Sequence, residues 1–282
     1  LFGIKAFLEN YVETSSKKNG SKFDFGPVNT VVSSNFVDGL RLRVSGRTTA
    51  NLNKHLFWNG YYAYGTKTGN HYYGSEITYA LNKKKNVPFE FPQRNIIFES
   101  ARDVMSPADK YLIHNKDNMF MAFRVQKVEQ MYFYNRQRLA FNYETDWGLR
   151  LNTEIKAESN EPAGDLYFKH VDDGSMVNKI RTTELTVGIK YCPGQTYINT
   201  KQQRWPVNLD APEFTVSHTT GLKNFLGGQY KLNLTTVGIY KRFWLGSWGY
   251  IDNHLKGGAQ WSKAPFPLLI MPPVNVSFFE LE

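Results

Sequence analysis

Residues 131–159 have the sequence MYFYNRQRLAFNYETDWGLRLNTEIKAES, in which two runs of strict two-residue alternation flank a short polar connection. In the first run Leu139, Phe141 and Tyr143 alternate with Arg138, Ala140 and Asn142. The second run is divided in the same way, with Leu149, Leu151, Thr153, Ile155 and Ala157 on one face and Arg150, Asn152, Glu154, Lys156 and Glu158 on the other. Successive side chains of a β-strand point to opposite faces, and residues 144–148 supply a polar turn ending in Gly. The stretch therefore predicts a β-hairpin with one apolar and one charged face.

The length of the two arms favours a sheet that spans a membrane. Each arm has roughly ten residues, which a tilted strand needs to cross the hydrocarbon layer, whereas an ordinary soluble strand has about five or six. We therefore predict an all-β protein with an antiparallel transmembrane β-barrel. Leu149, Leu151 and Ile155 should contact lipid, and the charged phase should face the lumen, because charges in lipid are costly. The alternation alone leaves open a soluble β-sandwich binding module.

The composition agrees with a barrel and excludes a helical membrane protein. The 282 residues are 41% hydrophobic, with a mean hydropathy of -0.47. A barrel strand needs only every second residue to be apolar, so low mean hydropathy is expected, and the 15% of aromatic residues suits interfacial girdles. No run of about 18 apolar residues occurs, because prolines interrupt the densest stretch, residues 266–274.

Charge and cysteine content argue against two other classes of protein. The formal charge is +9, but Lys and Arg are spread over the whole chain instead of clustering on one stripe, so we expect no nucleic-acid partner. Cys192 is the single cysteine, which excludes an internal disulfide and a cysteine-based zinc cluster of the usual kind.

The chain divides into a short N-terminal segment and one large β domain. Ile4, Phe7, Leu8 and Tyr11 have helical spacing, so we predict an amphipathic helix over residues 3–13 within an N-terminal segment, residues 1–22. We expect residues 23–282 to form the barrel domain, with about a dozen strands, closed or incomplete at its C-terminal end. The expected strands include residues 95–101, 119–128, 229–240 and 243–251, and long connections are expected over residues 160–179 and 193–212. Because Leu1 is not preceded by a secretion signal, we expect the chain to be a fragment.

Local motifs for catalysis or cofactor binding are absent from the sequence. There is no metalloprotease, nucleophile-elbow, Walker or dinucleotide motif, so we predict no enzymatic activity, no metal and no cofactor. Barrel hydrolases take their catalytic groups from separate strands, which keeps an outer-membrane hydrolase as the alternative. Ser217 and His218 are the pair to inspect, although adjacent strand residues point to opposite faces.

Basic side chains on the polar phase of alternating strands are the candidate functional residues. We predict that they face the lumen, where they form either an ion-pair network with Glu154, Glu158 and Glu184 or an anion path. The candidates are Arg41, Arg43, Arg150, Lys156, Lys190 and Lys231.

Four stretches carry a resemblance to a known family. They are NFVDGLRLRVSGRTT (35–49), YYAYG (61–65), HYYGSEITYALNKK (71–84) and EFTVSHTTGLK (213–223). From about Phe23 onward the chain resembles a Bacteroidota outer-membrane β-barrel family of unknown function, in which the barrel follows a carboxypeptidase-regulatory-like domain. The family is distantly similar to outer-membrane assembly and translocation barrels.

The resemblance implies a location and a general role. It implies a bacterial outer-membrane location and a noncatalytic role in envelope transport or assembly. The implied partners are the lipid bilayer with its lipopolysaccharide, and other outer-membrane or surface-exposed proteins.

Overall fold

The computed structural model describes residues 10–15, 20–106, 130–169, 174–201, 203–264 and 268–269, and these residues form β-strands with few helical turns. The strands are β1 Val12–Glu13, β2 Phe23–Phe25, β3 Val32–Asn35, β4 Gly39–Thr48, β5 Leu56–Gly65, β6 His71–Ala80, β7 Arg94–Met105, β8 Gln130–Glu144, β9 Leu149–Gly164, β10 Phe168–Lys169, β11 Met176–Val177, β12 Ile180–Tyr191, β13 Tyr197–Asn199, β14 Arg204–Pro206, β15 Glu213–Gly221, β16 Asn233–Trp244 and β17 Tyr250–Gln260. Short 3-10 turns occur at Val28–Thr30 and Gly246–Trp248.

One large antiparallel sheet contains thirteen of these strands. Its order is β1-β2-β4-β5-β6-β7-β8-β9-β12-β15-β16-β17, with β3 also paired to β4, so neighbours in the sheet are mostly neighbours in the chain. The central hairpin, β8 and β9, is confirmed, and its strands of 15 and 16 residues are longer than the ten expected for each arm. Gly148 closes its turn with φ 94°, and a Cβ there would lie 2.2 Å from the Cys192 carbonyl oxygen. Only glycine therefore fits this position.

The register carries the alternation of the central hairpin across the whole sheet. Arg138 is paired with Glu99 on β7 and with Lys156 on β9, and Lys156 is paired with Glu184 on β12. Leu139 lies on the other face and is paired with Phe98 and Ile155. We call the face that includes Arg138 the charged face and the face that includes Leu139 the apolar face.

Burial on the two faces is the reverse of that in a soluble β-sandwich. On β4, Leu40, Leu42 and Val44 are 47%, 46% and 66% exposed, while Arg41 and Arg43 between them are 0% and 8% exposed. Exposed apolar side chains recur on the apolar face of later strands, and include Ile189, Val216 and Val237. The sheet thus buries charged groups and leaves apolar groups uncovered.

The sheet curls around its charged face. A guanidinium nitrogen of Arg41 on β4 lies 2.8 Å from a carboxylate oxygen of Asp103 on β7. These strands are three spacings apart in the sheet order, which in a flat sheet corresponds to about 14 Å. The two side chains can meet only because the strands between them bend toward the charged face.

The path of the sheet runs from β1 to β17, and among the described residues these two strands do not pair with each other. The predicted N-terminal helix over residues 3–13 is wrong where it can be compared, because Val12 and Glu13 form β1 against Phe25 and Asp24 of β2. Backbone pairing with β2 overrides the helical spacing of these residues. Residues 1–9 lie outside the described part. Within the described ranges, none of the helices has the length and apolar character needed to span a bilayer.

Several strand boundaries differ from those that the sequence predicts. The expected strands over 229–240 and 243–251 are instead β16 and β17, separated by the turn at 245–249. The expected loop 160–179 begins within β9, which continues to Gly164. The expected strand over 119–128 lies outside the described residues.

The loops emerge at two ends of the sheet. We call the end that includes the turn of the central hairpin the hairpin end. It carries the loops 49–55, 81–93, 145–148, 192–212 and 245–249, and the loop 192–212 contains the β13–β14 hairpin. The opposite end carries the loops 66–70 and 222–232, together with the connection from β9 to β12.

Candidate functional site

A network of ion pairs crosses five strands in the middle of the charged face. Arg138 on β8 is its centre, with its guanidinium 2.6 Å from Glu99 on β7, 3.3 Å from Glu154 on β9 and 3.4 Å from Glu76 on β6. One cation therefore links carboxylates from three other strands. Such a network satisfies charges that have been withdrawn from bulk water.

Two further cations extend this network toward β12. Arg136 lies 2.7 Å from Glu158 and 3.8 Å from Glu99, and Lys156 lies 2.9 Å from Glu184. Arg136 is paired with Glu158 in the β8–β9 register and Lys156 with Glu184 in the β9–β12 register, so each cation lies beside a carboxylate on a neighbouring strand. Three cations and five carboxylates make the network.

A cavity of about 480 Å³ opens above the network. Its polar lining comes from Glu99, Arg136, Arg138, Glu154, Lys156 and Glu184, and its apolar lining includes Leu232 and Leu268. The volume and the charged lining suit water or a small polar solute. Each of the three cations in the lining is held in an ion pair with a carboxylate.

A second cluster of charges surrounds Arg41 near the start of β4, at the end of the sheet opposite the hairpin end. We call it the β4 cluster. Arg41, Asp38 and Asp103 have fully buried side chains, with Arg41 2.8 Å from Asp103 and 3.4 Å from Asp38. Tyr61 donates a hydrogen bond to Asp103, and Tyr72 donates one to Asp38. A buried guanidinium is therefore balanced by two carboxylates, each bonded to a tyrosine.

The β13–β14 hairpin folds against the end of β8 and the loop 81–93 at the hairpin end. Arg204 donates hydrogen bonds of 2.7 and 3.1 Å to the two carboxylate oxygens of Glu144, and its guanidinium lies 4.1 Å from the ring centroid of Tyr197. Asn199 exchanges two hydrogen bonds with the backbone of Phe91, of 3.0 and 3.1 Å. The hairpin thus bridges from the loop after β12 to the loop between β6 and β7.

Lys84 fixes the loop that receives this hairpin. Its ammonium donates hydrogen bonds of 2.8 Å to the carbonyl oxygens of Glu90 and Pro92. Burial lowers the pKa of Lys84 to about 8, while the negative charges of Glu90 and Glu144 act in the opposite direction. A lysine with a lowered pKa that is held by two carbonyls acts here as a structural support for the loop.

The six basic candidates from the sequence fall into separate groups. Lys156 belongs to the central network, whereas Arg41 and Arg43 belong to the β4 cluster, with Arg43 3.8 Å from the Tyr61 ring centroid. Arg150 and Lys190 are paired with each other in the register near the hairpin end, and Lys190 lies 2.5 Å from Glu213. The structure therefore does not bring these residues into one basic path.

The prediction that Lys231 lies in a strand is wrong. β16 begins at Asn233, and Lys231 is an exposed residue of the loop before it. The physical reason is that the backbone N–H of Gln229 donates to the Arg181 carbonyl on β12, which holds the loop away from the β15–β16 ladder.

The other residues noted in the sequence have ordinary surroundings. Ser217 shares a hydrogen bond of 2.7 Å with Thr236, and His218 one of 2.9 Å with Thr235, so these neighbours lie on opposite faces of the sheet. Cys192 is a buried free cysteine, and burial raises the pKa of its thiol. Among the residues that the structure describes, no cluster of His, Cys, Asp and Glu could hold a metal ion.

Glu154, Glu158 and Glu184, which the sequence named as ion-pair partners, do lie in the central network. Sequence reasoning missed three other acidic residues and the central arginines. Glu76, Glu99 and Asp103 follow the polar phase of β6 and β7, but β7 was expected to end at Ala101 and therefore to exclude Asp103. Arg136 and Arg138 lie on the polar phase of the first arm of the central hairpin, and that phase was the signal that could have identified them.

Comparison with known proteins adds one finding to this geometry. No curated protein matches the chain. A family model does match it, over residues 4–265, and its description is "Family of unknown function (DUF5686) C-terminal domain". This match covers most of the 282 residues, so the chain belongs to the family of unknown function DUF5686 and comprises its C-terminal domain.

Proposed function

We propose that the sheet is a transmembrane β-barrel, or most of one, in the outer membrane of a bacterium of the Bacteroidota. The observation that carries the proposal is the reversed burial of the two faces. Arg41 is fully buried, whereas its neighbours Leu40 and Leu42 are about half exposed. In water such a sheet would expose its apolar side chains to solvent. In a bilayer the apolar side chains contact lipid, and the charged side chains on the other face do not.

The distribution of aromatic side chains on the apolar face supports the same proposal. One row of this face crosses four paired strands with the aliphatic side chains Leu151, Ile189, Val216 and Val237, and it continues to Tyr143 on β8. Aromatic side chains are exposed at the hairpin end of this face, namely Tyr79, Tyr143, Trp147, Tyr191, Phe214 and Phe243. Aromatic residues favour the boundary between lipid and water, so these exposed aromatic side chains fit one interfacial girdle.

The role that fits the charged face best is noncatalytic, in envelope transport or assembly. The ion pairs of Arg136, Arg138 and Lys156 line a cavity of about 480 Å³ that suits a small polar solute. The β13–β14 hairpin, bound to Glu144 through Arg204, lies at one end of this interior. The expected partners are the lipid bilayer with its lipopolysaccharide, and other outer-membrane or surface-exposed proteins.

The test places one arginine on each face at the same depth. Val216 lies on the apolar face and its neighbour Ser217 on the charged face, both in the middle of β15. We expect Val216→Arg to destabilise the folded protein in vesicles by about 2–4 kcal/mol, because an arginine near the middle of the bilayer is costly there. Ser217→Arg is the matched control and should fold into vesicles nearly as well as the unchanged chain.

The opposite result would favour a different class of protein. If Val216→Arg folds as well as Ser217→Arg, and the protein remains soluble without detergent, then the apolar face does not meet lipid. A soluble β-sandwich binding module would then be the better proposal. The outer-membrane hydrolase is tested separately, by assaying ester or glycoside hydrolysis in Ser217→Ala and His218→Ala, since a loss of activity in either would support it.

A further inference from the structure

The 222–232 loop, which joins β15 to β16, packs on the apolar face of the sheet. Its Leu222 N–H donates a 2.7 Å hydrogen bond to the Thr183 carbonyl, and the Thr183 hydroxyl donates one of 2.7 Å to the Phe225 carbonyl. Thr183 lies on the apolar face of β12, opposite Ala157, and the loop buries it completely. The loop therefore sits on the outside of the proposed barrel, at the opposite end.

The tip of this loop holds two apolar side chains in the open. Phe225 is 48% exposed and Leu226 is 66% exposed. Leu226 has φ 46° and Asn224 has φ 67°, so both lie in the left-handed region of the backbone. Adopting this region costs a non-glycine residue about 1–2 kcal/mol. The loop thus keeps an unfavourable backbone conformation while it presents Leu226 to its surroundings.

Three cations surround the same loop without acidic partners. Arg181, Lys223 and Lys231 are exposed, and none of them forms an ion pair with another residue of the described ranges. This differs from the charged face, where Arg138 and Lys156 lie within 3.5 Å of carboxylates. Lys223 and Lys231 line a groove of about 480 Å³ with Thr220, Leu222, Phe225 and Asn233.

We propose that this groove binds the phosphate headgroup of an anionic membrane lipid. Lys223 and Lys231 neutralise the phosphate, while Phe225 and Leu226 contact the upper part of the acyl chains. Cations beside exposed apolar side chains at the edge of the apolar face are complementary to a ligand that is negative at one end and apolar at the other. This inference rests on the proposed membrane location and adds a defined lipid site to it.

The test measures lipid binding to the whole chain in a neutral detergent by native mass spectrometry, with dioleoylphosphatidic acid as the probe. We expect the double variant Lys223→Gln/Lys231→Gln to bind this lipid about 30-fold more weakly, because two cations near the phosphate are lost. The matched control is Lys83→Gln/Lys85→Gln, which removes the same charge from two exposed lysines at the hairpin end and should bind as the unchanged chain does.

Two further arms identify the part of the lipid that is recognised. Leu226→Ser should weaken binding about tenfold, since an apolar contact with the acyl chains is lost. Inorganic phosphate at the same concentration as the lipid should not displace it, and displacement would overturn the assignment of a lipid in favour of a free phosphate ion. Equal binding by the two double variants would overturn the site altogether. That result would leave the vesicle experiment with Val216→Arg unchanged, so failure of the lipid site and failure of the barrel proposal are distinguishable.

Discussion

The strands β4–β9 and the strands β15–β17 share one alternation of side chains but differ in how they treat their charges. In the first region Arg41 and Asp103 meet across three strand spacings and are fully buried. In the second region Arg242 is paired with Asp252 on the adjacent strand, 2.7 Å away, and β17 is exposed along most of its length. The charged face is therefore enclosed in one region and open in the other.

This difference shows that alternation and curvature are separate determinants of the interior. Alternation assigns each side chain to a face, and it does so equally well in β4 and in β16. Curvature decides whether charged side chains from distant strands come into contact on the charged face. Charges are removed from water only where such contacts form. The same pattern of residues therefore has different energetic consequences in the two regions.

The largest effect is expected from removing a carboxylate in the enclosed region. Asp103→Asn leaves the buried Arg41 guanidinium without its closest carboxylate, at 2.8 Å, and we expect the free energy of unfolding to fall by about 3–5 kcal/mol. Urea unfolding of the detergent-solubilised chain measures this loss. Asp146→Asn, in the exposed turn of the central hairpin, is the control and should have almost no effect. A loss below about 1 kcal/mol for Asp103→Asn would mean that water reaches Arg41.

The sequence was sufficient to predict the faces of the strands but not the partners of their charges. A local period of two assigns Arg150 and Lys156 to the charged face and Leu151 to the apolar face, and the register agrees with this assignment. The pairing of Arg41 with Asp103 depends on the bending of two intervening strands, and these residues are 62 positions apart in the chain. A nonlocal contact of this kind leaves no periodic signal in the sequence.

Loops were the least predictable part, for a related reason. Lys231 was assigned to a strand because the pattern from residue 229 onward alternates, yet a hydrogen bond from Gln229 to Arg181 delays the start of β16. The β13–β14 hairpin was expected only as a long connection. Its position depends on Arg204 of β14 and Glu144 at the end of β8, and the proximity of these two residues follows from the order of strands in the sheet.

The contact between the β13–β14 hairpin and the end of β8 gives the next largest expected effect. Arg204→Gln removes both charge-assisted hydrogen bonds to Glu144, and we expect a loss of about 1.5–3 kcal/mol, confined to the hairpin end. Amide hydrogen exchange should become faster in residues 197–206 and unchanged in the middle of β8. Lys201→Gln is the control, because Lys201 is mostly exposed and lies 3.6 Å from Glu13. Equal protection in both variants would show that Asn199 and Phe91 suffice to hold the hairpin.

The stability of the protein should depend on pH through Lys84, in the loop 81–93 that contacts the β13–β14 hairpin. The pKa of Lys84 is about 8 in the folded chain and near its usual 10.5 when unfolded, so between these values the unfolded chain binds more protons. The free energy of unfolding should therefore rise with pH across this window, relative to Lys84→Met, by about 1 kcal/mol after allowance for solvent screening at the end of the sheet. Urea unfolding at several pH values measures the difference, and a fall with rising pH would contradict the lowered pKa.

The smallest effect is expected from the open region, at Asp252. Its carboxylate accepts two hydrogen bonds of 2.7 Å from Arg242 and one of 3.1 Å from Tyr240, so it is bound, as Asp103 is, by a guanidinium and a tyrosine hydroxyl. The two carboxylates differ in surroundings, because water reaches Asp252 and Arg242 and can replace each bond. Asp252→Asn should therefore leave the urea unfolding midpoint unchanged, at low salt and at high salt. A loss comparable to that of Asp103→Asn would mean that the charged face of β16 and β17 is covered in the folded protein. Enclosure would then extend over the whole sheet, as a closed barrel requires, and the contrast between the two regions would disappear.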